Sequence, residues 1–229
     1  MGKPIASPCG VLLAIHANSE IMEERNLSEK ESLEVITSMI ARTRRRYIGD
    51  GSIMLMWGYL VTVVAILVWI MLAVTGQQIW NILWFAIPLI GGIATPVMAR
   101  KQRDRQGVKT YSDDVTSRLW TIAGISEGVM ILICLALELF AGADCWRAML
   151  AYSLTAVPLA EIAQGLFIKE RSLTAGGIVG LTVGIITTCC LAGDIPLYVN
   201  WFMPLFILGF VAMMIVPGHV LNHKARQER

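Results

Sequence analysis

The run LVTVVAILVWIMLAV at residues 60–74 carries no charged residue and is apolar on every face. A helix with no polar side must be enclosed by a large protein core or by lipid. Five comparable runs follow, so lipid is the only environment this chain can supply for all of them. The six stretches lie at 53–75, 79–99, 119–141, 146–168, 173–193 and 198–220. Each reaches the roughly 20 residues that a helix needs to cross a hydrocarbon core of about 30 Å, and together they take more than half of the chain. A membrane β-barrel would instead alternate apolar and polar residues over strands of about ten. Composition agrees, with 16% of residues charged where a water-soluble domain has about a quarter. The fold class expected is all-α, a polytopic integral membrane protein of six transmembrane helices.

Positive residues near span ends stay on the cytoplasmic side, and their placement here is one-sided. Arg42, Arg44, Arg45 and Arg46 precede span 1. Arg100, Lys101, Arg103, Arg105, Lys109 and Arg118 lie between spans 2 and 3, Lys169 and Arg171 between spans 4 and 5, and Lys224, Arg226 and Arg229 after span 6. The opposite loops hold Arg147 alone, so both termini are expected in the cytoplasm. Those loops, around 76–78, 142–145 and 193–197, are too short for an external domain. Trp80, Trp84, Trp146, Tyr198 and Trp201 fall at the same ends, where amphipathic rings favour the headgroup zone.

Ahead of the spans, residues 1–27 read as a disordered tail or an over-extended start, with Met22 an alternative initiator. The only apolar run there, VLLAI, is too short for a signal-peptide core. Ser28 and Glu31 form a capping box, and Leu33, Ile36, Ile40 and Tyr47 share one face. Residues 28–50 are therefore expected as an amphipathic helix on the cytoplasmic side, with Arg42, Arg44, Arg45 and Arg46 among anionic headgroups. The simpler reading is that these arginines only enforce topology, and docking of a partner protein is a further one. Residues 51–229 form the six-helix domain.

The run Glu31-Ser32-Leu33-Glu34-Val35-Ile36, the basic stretch after it, and Trp57-Gly58-Tyr59 at the opening of span 1 resemble the start of small multi-span membrane proteins of Bacteroidetes whose function is uncharacterised. The resemblance covers about residues 23–75. It implies a bacterial inner membrane and Met22 as the start, and it carries no activity and no site residues.

An ionisable group near mid-bilayer costs on the order of 2.5–3.5 kcal/mol, so each is a functional candidate. Glu127, Glu138 and Glu161 qualify. Glu127 lies nine residues after Arg118 and Glu161 eight before Lys169, so their depths match on helices that a short loop makes antiparallel neighbours. Glu127, Glu161 and Gln164 are thus the candidate intramembrane polar site, where two nearby carboxyls would share a proton. A structural hydrogen bond between helices and an ion pathway both fit that arrangement. Glu127, Cys134 and Glu138 fall on one stripe of span 3, and Gly124 and Gly128 beside it permit another helix to approach. Glu138 is expected to pair with Arg147 across the loop.

Span 5 repeats small residues every fourth position, and Gly176, Gly180 and Gly184 are its helix-packing face. Such a face lets backbones touch, either within the chain or in a homodimer seam. Cys189 and Cys190 read as small apolar filler, though an oxidising exterior would allow one to join Cys145. His219 and His223 read as interfacial. No nucleotide, metal, nucleophile or dinucleotide motif occurs, so no catalytic residue, cofactor, metal or nucleic acid is assigned. Trp57, Trp80 and Pro88 recur loosely as Trp120, Trp146 and Pro158, which raises a tandem of three helical hairpins. Three functions stay open, the last of them an intramembrane enzyme, for which the spans supply no nucleophile, metal or oxyanion set. The first is a sensor, regulatory or assembly subunit acting by association. The alternative is a proton- or cation-coupled carrier or channel using Glu127 and Glu161.

Overall fold

A computed structural model describes residues 33–37, 51–106 and 111–227. The chain divides into a unit up to Arg46 and a unit from Tyr47 onward. In the first, residues 33–37 are helical. The rest of the expected 28–50 helix, including Arg42, Arg44, Arg45 and Arg46, lies outside the described residues.

The second unit is an all-α integral membrane protein with six helices long and apolar enough to cross a bilayer, and no strand occurs among the described residues. Span 1 is α1 (Ser52–Thr75). Span 2 opens as a 3-10 helix (Gln78–Phe85) and continues as α2 (Ala86–Gln106). Spans 3, 4 and 5 are α3 (Tyr111–Ala141), α4 (Trp146–Phe167) and α5 (Arg171–Ala192). Span 6 runs from α6 (Val199–Phe210) through a π turn (Val211–Ile215) into α7 (Val216–Gln227). Gly76 ends α1 in the left-handed conformation (φ 65°), its N–H returning to the Leu72 carbonyl, a cap that glycine takes without steric cost.

Two breaks in regularity lie beside prolines. Pro88 has no N–H for the Trp84 carbonyl, and span 2 changes from 3-10 to α just before it. Pro217 likewise leaves the Met213 carbonyl without its α-helical donor, and the π turn contains that residue.

Packing joins the spans laterally in the order 2, 1, 6, 5, 4, 3, with spans 4 and 5 the closest pair. The most apolar windows of spans 1, 4, 5 and 6 are 28–33% buried, against 6% for span 2 and 11% for span 3. The four are therefore the centre and the two are flanks. Spans 1 and 2, 3 and 4, and 5 and 6 also pack on one another, and the tightest contact joins the second of these sequence hairpins to the third. Val61 and Ala65 of span 1 pack with Leu154 of span 4 and Phe202 and Phe206 of span 6. At the short-loop end, Phe85 meets Trp146 edge to face, with ring centroids 5.5 Å apart.

Candidate functional site

Span 3 presents its polar stripe to span 4 from Trp120 to Glu138. Near one end Trp120 Nε1 donates to Gln164 Oε1 at 2.7 Å; midway Ser153 Oγ donates to Glu127 Oε2 at 2.7 Å; near the other end Trp146 Nε1 donates to Glu138 Oε2 at 2.7 Å. Between the last two, Cys134 Sγ lies 3.5 Å from the Cys145 carbonyl. The stripe read from helical spacing is therefore one contact face. Glu138, however, takes the indole of Trp146 in place of the expected Arg147. Arg147, one residue on and about 100° around the helix, points outward and is exposed.

Glu127 and Glu161 are not hydrogen-bonded to each other. Ser153 and Gln164 are eleven residues apart, close to three turns, and share the face turned to span 3. Glu161, three residues before Gln164, is rotated roughly 60° from that face. Matched distances from the span ends placed the two carboxyls at one depth but could not fix rotation about the axis. Glu161 is fully buried, and neither carboxylate oxygen has a hydrogen-bond partner. Glu127 Oε1 is also buried without one.

What Glu161 faces is the glycine surface of span 5. A Cβ added at Gly176 would sit 3.1 Å from Glu161 Oε1, 2.8 Å from the Met213 carbonyl oxygen and 2.8 Å from Pro217 Cγ. At Gly180 it would strike Met213 Sδ, and at Gly184 the Leu154 carbonyl oxygen. Leu154 is the residue whose carbonyl Pro158 deprives of an α-helical donor. The face at Gly176, Gly180 and Gly184 is thus filled by spans 4 and 6 of the same chain, and it seats two proline-freed carbonyls against bare Cα atoms, where C–H···O contacts recur. The crevice beside it, lined by Leu154, Gly180, Val183, Phe206 and Met213, is apolar.

At the end of the bundle that carries Lys169, Arg171 and Lys224, Glu170 caps α5 by accepting from Ser172 N at 3.3 Å and Ser172 Oγ at 2.9 Å. Lys224 Nζ donates to its two oxygens at 2.8 and 2.7 Å. Burial alone would raise the Glu170 pKa; the hydrogen bonds from Lys224 and Ser172 outweigh it and hold the carboxyl below its ordinary value. Tyr59 Oη and His219 Nε2 are 2.7 Å apart, joining spans 1 and 6, and Trp57 Nε1 donates to Thr95 Oγ1 at 3.0 Å.

These three links were missed by sequence reasoning. Only the pairing of Trp57 with Trp120 as repeat positions hinted at one of them, since each indole donates to a polar residue late in the next span. His223 lies 2.9 Å from Gln227 Nε2. Cys145, Cys189 and Cys190 are free thiols. No group of three or more His, Cys, Asp or Glu side chains is placed to hold a metal among the described residues. Compared with known families, curated proteins and solved structures, the chain finds no match.

Proposed function

We propose that this multi-pass protein resides in a bacterial inner membrane with both termini in the cytoplasm, and that it acts by association, as a sensor, regulatory or assembly subunit. The orientation is supported by the fifteen Lys and Arg residues at one set of span ends. The association reading is carried by span 3. Among the described residues this 31-residue helix packs chiefly on span 4, and Gly124 and Gly128 have nothing within 4 Å of a Cβ position. An uncovered pair of glycines one turn apart suits close approach by another helix in lipid, where small residues let backbones gain dispersion contacts. A photocrosslinking residue at Gly128 in native membranes is expected to give a discrete adduct. Labelling of lipid alone speaks against the reading.

A second reading, the proton- or cation-coupled carrier or channel, is favoured by one observation: a fully buried carboxyl at Glu161 with no hydrogen-bond partner. Reconstitution into liposomes with a pH-sensitive dye tests it. Flux that is lost on Glu127→Gln/Glu161→Gln supports transport, and equal flux in both proteins removes it.

A further inference from the structure

Cys134 and Cys145 are both free thiols, and they meet. Cys134, on span 3, is fully buried. Its Sγ lies 3.5 Å from the Cys145 carbonyl oxygen, and its thiol is in hydrogen-bond contact with the Cys145 side chain. Cys145 is only half-buried, in the turn that leads into span 4.

Two local devices bring the pair together. Gly142, at φ 62°, returns its N–H to the Glu138 carbonyl and Ala143 returns its own to the Leu137 carbonyl, which ends span 3 and turns the chain back. Cys145 then stands at the N-cap of α4, where a side-chain oxygen ordinarily accepts from the first turn. Its side chain makes no capping bond, and Asp144 Oδ1 takes the Trp146 N–H at 3.0 Å instead. The Cys145 thiol is therefore left to Cys134.

Unequal access gives the two thiols different parts. Thiol–disulfide exchange proceeds by attack of one sulfur on a disulfide and passes through a mixed disulfide. Cys145 is the thiol that an external disulfide can reach, and Cys134, enclosed and touching it, is placed to resolve the mixed disulfide. Trp146, held by Glu138 and Phe85, flanks Cys145, so the approach suits a small molecule and not a sulfur set in a protein surface.

We propose that Cys134 and Cys145 form a thiol–disulfide exchange site whose substrate is a small organic disulfide. Cys145 attacks one sulfur of that disulfide and releases the other as a thiol. Cys134 then attacks the Cys145 sulfur of the mixed disulfide and releases the second thiol. Each attacking group gives up its proton and each leaving sulfur takes one, so the protein loses two electrons and two protons and the external disulfide leaves as two thiols. The bond that forms ties span 3, whose most apolar window is only 11% buried, to the start of span 4. In the orientation proposed above this end faces the cell exterior, where disulfides form and persist. The site itself rests on the contact and on neither functional reading.

The test uses the whole protein in lipid nanodiscs, fully reduced and then equilibrated with oxidised glutathione. After an acid quench, remaining thiols are blocked with N-ethylmaleimide in denaturant. The tryptic peptide 119–147, which holds both cysteines and no internal Lys or Arg, is weighed without reduction. The wild-type peptide is expected to carry no maleimide and to be about 2 Da lighter than the dithiol, the two hydrogens lost. Dithiothreitol restores the dithiol. Cys134→Ser is expected to stop at the mixed disulfide, with glutathione on Cys145, and Cys145→Ser to leave Cys134 reduced. Cys189→Ser/Cys190→Ser closes as the wild type does. A wild-type peptide that takes two maleimides, retains glutathione at Cys145, or is joined to Cys189 or Cys190 overturns the site. That wild-type measurement decides by itself if a variant does not fold.

Discussion

Lys224 Nζ holds both oxygens of Glu170, at 2.8 and 2.7 Å, and so ties the end of span 6 to the turn between spans 4 and 5. Glu170 is 6% exposed, whereas the Lys224 side chain is 42% exposed, so solvent screens one partner and not the other. Lys224→Ala is expected to lower stability in detergent by about 1 kcal/mol, since it leaves a buried carboxylate short of donors. The folded-state pKa of Glu170 is depressed, so its contribution is present above the unfolded value of about 4.3 and is lost as pH falls through the lower folded value. The gap between wild type and Lys224→Ala should therefore be constant near neutrality and close in strong acid.

Substitutions on span 5 should separate filled from open glycines. Gly184→Leu drives a side chain into the Leu154 carbonyl, and Gly180→Leu drives one into Met213. Each is expected to cost about 1–3 kcal/mol or more through overpacking. Gly92→Leu on span 2 meets nothing within 4 Å and should change stability by less than about 0.5 kcal/mol. Thermal denaturation of the three variants in one detergent makes the comparison.

The contact between Ser153 and Glu127 invites a double-mutant cycle. Polar pairs between membrane helices average about 0.6 kcal/mol and rarely exceed about 2. Ser153→Ala and Glu127→Gln should couple within that range. Ser153→Ala combined with Glu161→Gln should be additive, because Glu161 faces span 5 and not span 3. Coupling of the second pair as strong as the first would mean that the two carboxyls meet.

Spans and their number were legible because apolarity over roughly 20 residues is a one-dimensional property, and each helix covers its run to within a residue, with spans 3 and 6 extending beyond theirs at the end that carries Arg118 and Lys224. The stripe of Glu127, Cys134 and Glu138 was legible for a similar reason, since helical periodicity assigns residues of one helix to one face. Which neighbour each face meets was not. Glu161 was paired with Glu127 by depth, yet its rotation turns it to Gly176 and Met213. Gly176, Gly180 and Gly184 announced close packing, but only the fold shows that spans 4 and 6 fill it. The π turn before Pro217 was not legible either, because Pro96, Pro158 and Pro204 lie inside α-helices, so a proline in an apolar run does not by itself distinguish a kink from a bulge.

The open glycines of span 3 carry the association reading, and the mass of the particle extracted from native membranes in polymer-bounded nanodiscs tests it most directly. The account predicts that wild type exceeds the protein mass of one chain and that Gly128→Leu, which fills the open face, returns it to one chain. A wild-type particle with the protein mass of a single chain contradicts it.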